Sequence, residues 1–370
     1  QGQLKTAPST GSDTETARAA LEAVLDTVPD SQVAEDGTKY YTAETWNAMQ
    51  EQIDAANKAL ENDQATAETL NAAAQALETV IAALKTADVP QPVTPPEGTE
   101  WEMVSTAEEL ETALASGSGY YKLSNDIEGV FGAGMQTVTF SGVLDGDGHV
   151  VTLQYGDTVN DRSYRLVDNI GATGVIQNLG IAGKCQSEPF ADKLSGKLIN
   201  CFSWAETVNG SGGMVGAMNS GSMIVNCYTS TVVDEYSGGL IDYGAKDSYI
   251  IYSYWQSGAE GSPWYPTSGD TPCLIGSSHK TETEMKQADF IALLNSHRGT
   301  TGMEWTLSDN AYPWQGEASE GNYFEYPVVL TDLVSGKETE SLGPDFPLET
   351  DVFGLTSGDI AQLSLKGYEG

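Results

Sequence analysis

Three stretches, GVIQNLGI from Gly174, KLINCFSW from Lys197 and MIVNCYTS from Met223, repeat one order of residues: apolar β-formers, an asparagine, then a further inward position. YIIYSYWQ from Tyr249 repeats it with a tyrosine in the asparagine's place. Lined up with HVVTLQ from His149, they place Leu153, Leu179, Cys201, Cys227 and Ser253 in one column at spacings of 26, 22, 26 and 26. Val150, Ile176, Leu198, Ile224 and Ile250 form a second column, and SGGMVGA over SGGLIDY gives a third, with Met214 over Leu240 and Leu166 and Val167 one coil earlier. A period in the twenties with several short strands per turn predicts a solenoid, each coil burying its apolar residues against its neighbours.

The ladder residues have structural work in such a fold. Asparagine tolerates the left-handed backbone that turns a corner between strands, and stacked amides bond from coil to coil, so Asn178, Asn200 and Asn226 read as corners. Tyr252 breaks the ladder and predicts a less regular last coil. A column that accepts leucine, thiol or hydroxyl is not a catalytic one, so Cys201 and Cys227 read as small inward residues in the reduced state. Four cysteines in 370 residues are too few for a disulfide scaffold and lack zinc-site spacing.

The chain divides by composition. Residues 1–13 are polar and read as a flexible N-terminus; 14–87 are alanine-rich with helical periodicity; 88–99, DVPQPVTPPEGT, hold four prolines and read as a semi-rigid linker. Residues 100–315 carry the repeat, and 316–370 read as a β-rich extension. Within the helical region Trp46, Met49, Ile53, Ala56 and Leu60 make one apolar stripe behind a Thr42 cap. Leu70, Ala74, Leu77, Ile81 and Leu84 make another, and Leu21, Val24 and Leu25 supply a third, which predicts a small three-helix bundle. Ser105 with Glu108 and Thr281 with Glu284 fit capping boxes of two short helices, expected to close the solenoid ends; on the second, Met285, Ala288, Ile291 and Leu294 share a face. The predicted architecture is thus multidomain: an all-α bundle, then an all-β parallel β-helix with short capping helices.

Two resemblances attach to these segments. YYTAETWNAMQEQIDAANKALENDQATAETLNAAAQALETVIAALK, from Tyr40 to Lys85, resembles the FIVAR family of bacterial surface proteins. GSGGMVGAMNSGSMIVNCYTS, with FSGVLDGDGHVVTL and GVIQNLGI before it and KTETEMKQADFIALLN and WTLSDNAYPW after it, is similar to the GLUG-type repeats of such proteins. Together they imply a right-handed parallel β-helix beside a helical spacer, in a secreted or wall-attached bacterial protein of the kind that carries adhesins or protease-associated regions. The repeat carries no catalytic residues to transfer.

Charge narrows the partners. Fifty-three acidic residues against 17 basic give a formal charge of −36, which repels nucleic acid and anionic membrane surfaces, and no run of about eighteen apolar residues offers a membrane span. LDGDGH, from Leu144, lacks the third oxygen donor and closing glutamate of a calcium loop and reads as a tight turn on Gly146 and Gly148. His149, His279 and His297 are far apart, and no HExxH, GxSxG or Walker-type motif occurs, so no cofactor or metal is expected.

The most suggestive segment is YIIYSYWQSGAEGSPWYPTSGDTP. If Leu240 is matched to Leu274, this coil is longer than those before it and bulges around Trp264 and Tyr265. Aromatic platforms on a rigid scaffold suit sugar rings or a protein partner, which makes Trp255, Trp264, Tyr265 and Tyr254 candidate binding residues, with Trp204 and Tyr228 extending the face. The expectation is a non-catalytic, adhesin-like segment of an extracellular protein that binds a host glycan or a glycoprotein such as mucin or immunoglobulin. A carbohydrate-active β-helix enzyme, and the recognition region of a surface protease, are the alternatives.

Overall fold

The computed structural model describes residues 11–132, 137–209, 212–233, 237–258, 261–265 and 270–316, with the backbone of 328–332, 338–341 and 361–365. Two compact units divide the chain, Gln1–Glu304 and Trp305–Gly370.

The first unit is built on a parallel β-solenoid of about six turns. Three sheets run along it, two of eight strands and one of five. Strands of the first sheet stack Leu144, Ile176, Leu198, Ile224, Ile250 and Leu274 in register. Most of this column, with Ile181, Val215, Ile241 and Trp255 from the other sheets, fills one continuous core.

The asparagine corners take the left-handed conformation, with φ of 49° at Asn178, 53° at Asn200 and 49° at Asn226, and Tyr252 takes the same turn at 49°. The amides bond upward: Asn178 Nδ2 donates to Asp145 Oδ1 (3.0 Å), Asn200 Nδ2 to Asn178 Oδ1 (3.3 Å) and Asn226 Nδ2 to Asn200 Oδ1 (2.7 Å). Because Tyr252 has no amide to continue the ladder, Asn226 Oδ1 is buried without a partner. The inward column beside these corners has a chemical task as well. The Cys201 amide donates to Cys227 Sγ, that of Cys227 to Ser253 Oγ, and that of Ser253 to Ser277 Oγ, so each small heteroatom satisfies a backbone group of the coil before it. Cys201 and Cys227 are free buried thiols, and burial holds the Cys201 thiol well above its ordinary pKa.

The register of the HVVTLQ coil differs from the spacing-based alignment. Val150 pairs with Gly180 and Leu153 with Gly183, so neither stands over the expected Ile176 or Leu179, and Leu144 takes the place beneath Ile176, with Tyr121 beneath it. LDGDGH is a turn, as its composition suggests, but the left-handed residues are Asp147 and Gly148 rather than Gly146. Gly146 is there for space, because a Cβ would meet the Asn178 carbonyl. Asp145 accepts from the Asp147 amide, Gln177 and Asn178, and Asp147 pairs with Lys122, which occupies both carboxylates.

Helices α1 (Gly11–Leu25), α2 (Ala43–Glu61) and α3 (Ala67–Ala82) share one apolar core built from Leu21, Met49, Ala56, Leu70 and Leu77, with Trp46 at its edge. Residues 11–13 already belong to α1, and 1–10 lie outside the described residues. Between α1 and α2, strands Val33–Ala34 and Lys39–Tyr41 form a hairpin that pairs with Thr86–Asp88. This small sheet packs on the outward face of the solenoid's first sheet: Tyr40 and Val89 join Val143, Val175, Ile199, Val225, Ile251 and Ile275 in a second core. The proline-rich stretch is docked as well, since Val93 exchanges two hydrogen bonds with the Gln177 side chain (2.7 and 2.9 Å).

Helix α4 (Ala107–Ser116) closes the first coil, with Leu110, Ala113 and Leu114 in the main core. Its N-cap is Thr106, one residue later than the Ser105 expected, and Glu109 rather than Glu108 reaches back to Ser105. The Thr281–Glu284 capping box is present, but the helix it opens breaks into α5 (Glu282–Met285) and α6 (Ala288–His297). The break rotates the stripe, so Met285, Phe290 and Leu294 are buried while Ala288 is exposed. Helix α6 lies along the flank of the solenoid, not across its end. Asn226 and Asn200 donate to the carbonyls of Leu294 and Arg298, both 3.0 Å, so one helical turn matches one coil step.

In the second unit, Thr306–Leu307 pairs antiparallel with Pro313–Trp314. Val328–Asp332 is the central strand between Glu338–Ser341 and Ala361–Leu365. Within the stretch expected to be β-rich, YFEYPVVLTDLV from Tyr323 forms one strand over its described residues; the rest of that stretch lies outside them.

Candidate functional site

The aromatic residues singled out by sequence do not form one platform. Tyr228, Tyr254 and Trp255 are buried at 0%, 2% and 2% exposure. Tyr228 and Tyr254 lie under α6, with Phe290 edge-on to both rings (5.5 and 5.3 Å). Trp204 is half-buried and donates from its indole nitrogen to Tyr228 Oη at 2.7 Å. Trp255 points into the solenoid core.

Trp264 and Tyr265 do not sit on a bulge of a lengthened coil. The amides of Leu240 and Ile241 donate to the Pro263 carbonyl, and that of Tyr265 to Asp242, so this segment is the next rung of the third sheet's column. Leu274 pairs with Ile250 in a different sheet, which removes the lengthened interval. Trp264 packs half-buried on the main core, and Tyr265 meets the exposed Tyr243 edge-on at 6.1 Å.

The coil that lengthens is the one from Leu144 to Ile176, which follows the coil from Tyr121 to Leu144. Leu144 to Ile176 is the widest interval of the register-matched column, wider than Ile176 to Leu198, Leu198 to Ile224, Ile224 to Ile250 or Ile250 to Leu274. Most of the excess lies between Leu153 and Val167, a much longer connection than its counterpart one coil on, from Gly183 to Ala191. The extra chain folds as a hairpin-like loop: Tyr155 bridges Arg162, Gly156 donates to the Asp161 carbonyl at 2.7 Å, and Val159 stands 64% exposed at the tip. Self-bonded loops of this kind on a rigid scaffold are common carriers of binding function.

This loop walls an open cleft of about 660 Å³ on the solenoid flank, lined by Glu128, Gln154, Tyr155, Asp161, Lys184 and Glu206 among others. Tyr155 is fixed from several sides. Its hydroxyl donates to Gln186 Oε1 at 2.6 Å, and Gln186 is held in turn by Asn209 at 3.1 Å. The Arg162 guanidinium sits 4.9 Å from the ring centroid and is anchored by the carbonyls of Gly156 and Asp157. Lys184 lies 5.8 Å from the same ring and pairs with Glu206. Asp161 accepts from Thr158 Oγ1, and Glu128, on the middle of its strand, is exposed with no side-chain partner among the described residues. The cleft therefore offers one immobilised aromatic ring among carboxylates and amides, the mixture that binds polyhydroxylated ligands.

A second cleft of about 550 Å³ opens where the N-terminal hairpin meets the solenoid, lined by Asp36, Asp88, Gln91, Tyr252 and His297 among others. His297 stacks on Tyr252 at 3.6 Å, the Tyr252 hydroxyl donates to the Gly37 carbonyl at 3.0 Å, and burial holds the imidazole below its ordinary pKa. His149 and His279 are elsewhere, and no cluster of metal-ligating side chains occurs among the described residues. No helix among them is long and apolar enough to cross a membrane.

Sequence reasoning missed Tyr155, Glu128 and Lys184. The signal was the interval between VLD at 143 and VIQ at 175, concealed because HVVTLQ fits the repeat's apolar pattern equally well. No family model, curated protein or solved structure matches the chain.

Proposed function

We propose that the chain is a non-catalytic, adhesin-like segment of a larger extracellular bacterial protein, and that the cleft of the long coil binds a host glycan or the glycan of a glycoprotein such as mucin or immunoglobulin. The observation that carries this is the loop at 154–163, which departs from the coil repeat only to wall a groove around a pinned tyrosine ring. A rigid ring held among hydrogen-bonding side chains gives contact area at little entropic cost. The resemblances to FIVAR and GLUG modules support the surface location, the right-handed winding of the solenoid and a reading of α1–α3 as a three-helix module that spaces and braces it. The formal charge of −36 agrees with a partner that is neither nucleic acid nor membrane.

A second reading, a carbohydrate-active enzyme, is favoured by the presence of Glu128, Asp161 and Glu206 in one groove. Against it, all three are exposed and Glu206 is paired with Lys184, whereas a general acid relies on burial to keep its proton. Recognition within a surface protease would use the same cleft. The test is a glycan array on the full chain with product analysis of every bound glycan. Retention without cleavage that is lost in Tyr155→Ala supports the binding role, and cleavage lost in Glu128→Gln supports the enzyme.

A further inference from the structure

Resting on the reading of the long-coil cleft as a glycan site, we infer that it selects neutral, hydroxyl-rich sugars and rejects glycans capped with a carboxylate or a sulfate. Three carboxylates line the cleft, Glu128, Asp161 and Glu206, against one lysine, Lys184. Arg162 over the tyrosine ring raises the cations to two, which still leaves the acidic side in excess.

Both cations already have internal partners. Lys184 is paired with Glu206, and Arg162 directs Nε and Nη2 at the carbonyls of Gly156 and Asp157 at 2.8 and 2.7 Å. Glu128 is the group left without an internal partner among the described residues, and a carboxylate only accepts. The ligand must therefore bring donors. Sugar hydroxyls supply them, and the apolar face of the ring lies against Tyr155. A terminal carboxylate or sulfate brings further acceptors and a like charge into a site of a chain with formal charge −36. Charge mismatch of this kind acts through discrimination between ligands more than through raw affinity.

The experiment is calorimetric titration of the full chain with neutral oligosaccharides identified on the array, each alongside its sialylated and sulfated forms. Capping should weaken binding at least about tenfold at low salt. The discrimination should shrink to within about threefold at 0.5 M NaCl, where the screening length is about 4 Å. Glu128→Gln keeps a carbonyl acceptor but removes the charge, and should likewise narrow the discrimination between neutral and capped sugars, with neutral sugars weakened by the loss of the charged acceptor. Capped glycans that bind as well as or better than neutral ones overturn the selectivity while leaving the cleft as the site. Absence of glycan binding altogether, or unchanged binding in both Tyr155→Ala and Tyr155→Phe variants that melt like the parent, overturns the site itself and the inference with it.

Discussion

The coil from Leu198 to Ile224 and the coil from Leu144 to Ile176 rest on the same sheets, yet the second spends more chain on one turn. In the shorter coil Asn200 turns the corner, the Cys201 amide donates to Cys227 Sγ, and Gly213 leaves room for the Gly239 carbonyl. In the longer coil, the added loop is stitched chiefly to itself and adds no residue to the main core. A solenoid separates the two tasks because each coil must match its neighbours only where the strands pair. Chain inserted between strands is free to serve a ligand.

The largest expected effect tests the regular side. Ile224→Ala empties a buried rung and should cost about 2–5 kcal/mol in denaturant unfolding, because neighbouring coils fix the cavity walls. Asn226→Ala comes next, at about 2–4 kcal/mol, combining the cost of alanine at φ 49° with the loss of bonds to Asn200 and Leu294. Asn226→Gly separates the two parts, since it should recover about 1 kcal/mol of the backbone cost and none of the ladder; equal losses would show that the turn conformation is not limiting. Trp264→Ala should lower stability by about 1–3 kcal/mol through lost packing on the main core, and leave glycan retention intact.

A smaller effect should appear with pH. Burial lowers the His297 pKa from its ordinary 6.5, so the unfolded chain binds this proton more readily than the folded one. The resulting stability is complete above the unfolded value and is lost as pH falls below about 6.5 through the folded pKa. Melting temperature followed from pH 7.5 to 5 should decline more shallowly in His297→Phe, which retains the stack on Tyr252; parallel curves would remove His297 from the acid sensitivity.

Much of the scaffold was legible in sequence because its constraints are local. A left-handed corner admits few residue types, so Asn178, Asn200 and Asn226 marked the coils directly. Val225, Ile251 and their neighbours carried a further signal. Strands apolar on both faces need a cover outside, and the hairpin around Tyr40 supplies it. The long coil and the Trp264 rung were not legible, since apolar residues three apart match two registers equally and only strand pairing chooses between them. The aromatic cluster misled for a related reason: bulk at Tyr228 and Tyr254 is the same in sequence whether a ring meets solvent or Phe290. Tyr155 stood out in neither way, because what pins it comes from Arg162 across its own loop and from Lys184 and Gln186 on the next coil.

The most direct test replaces residues 156–161 with a two-glycine turn, which keeps the flanking strands and removes the cleft wall. The account predicts unfolding free energy within about 1 kcal/mol of the parent, since surface loops contribute little to the core, together with complete loss of glycan retention. A shortened chain that folds as stably and still retains its glycan would contradict the assignment of function to the coil that breaks the repeat.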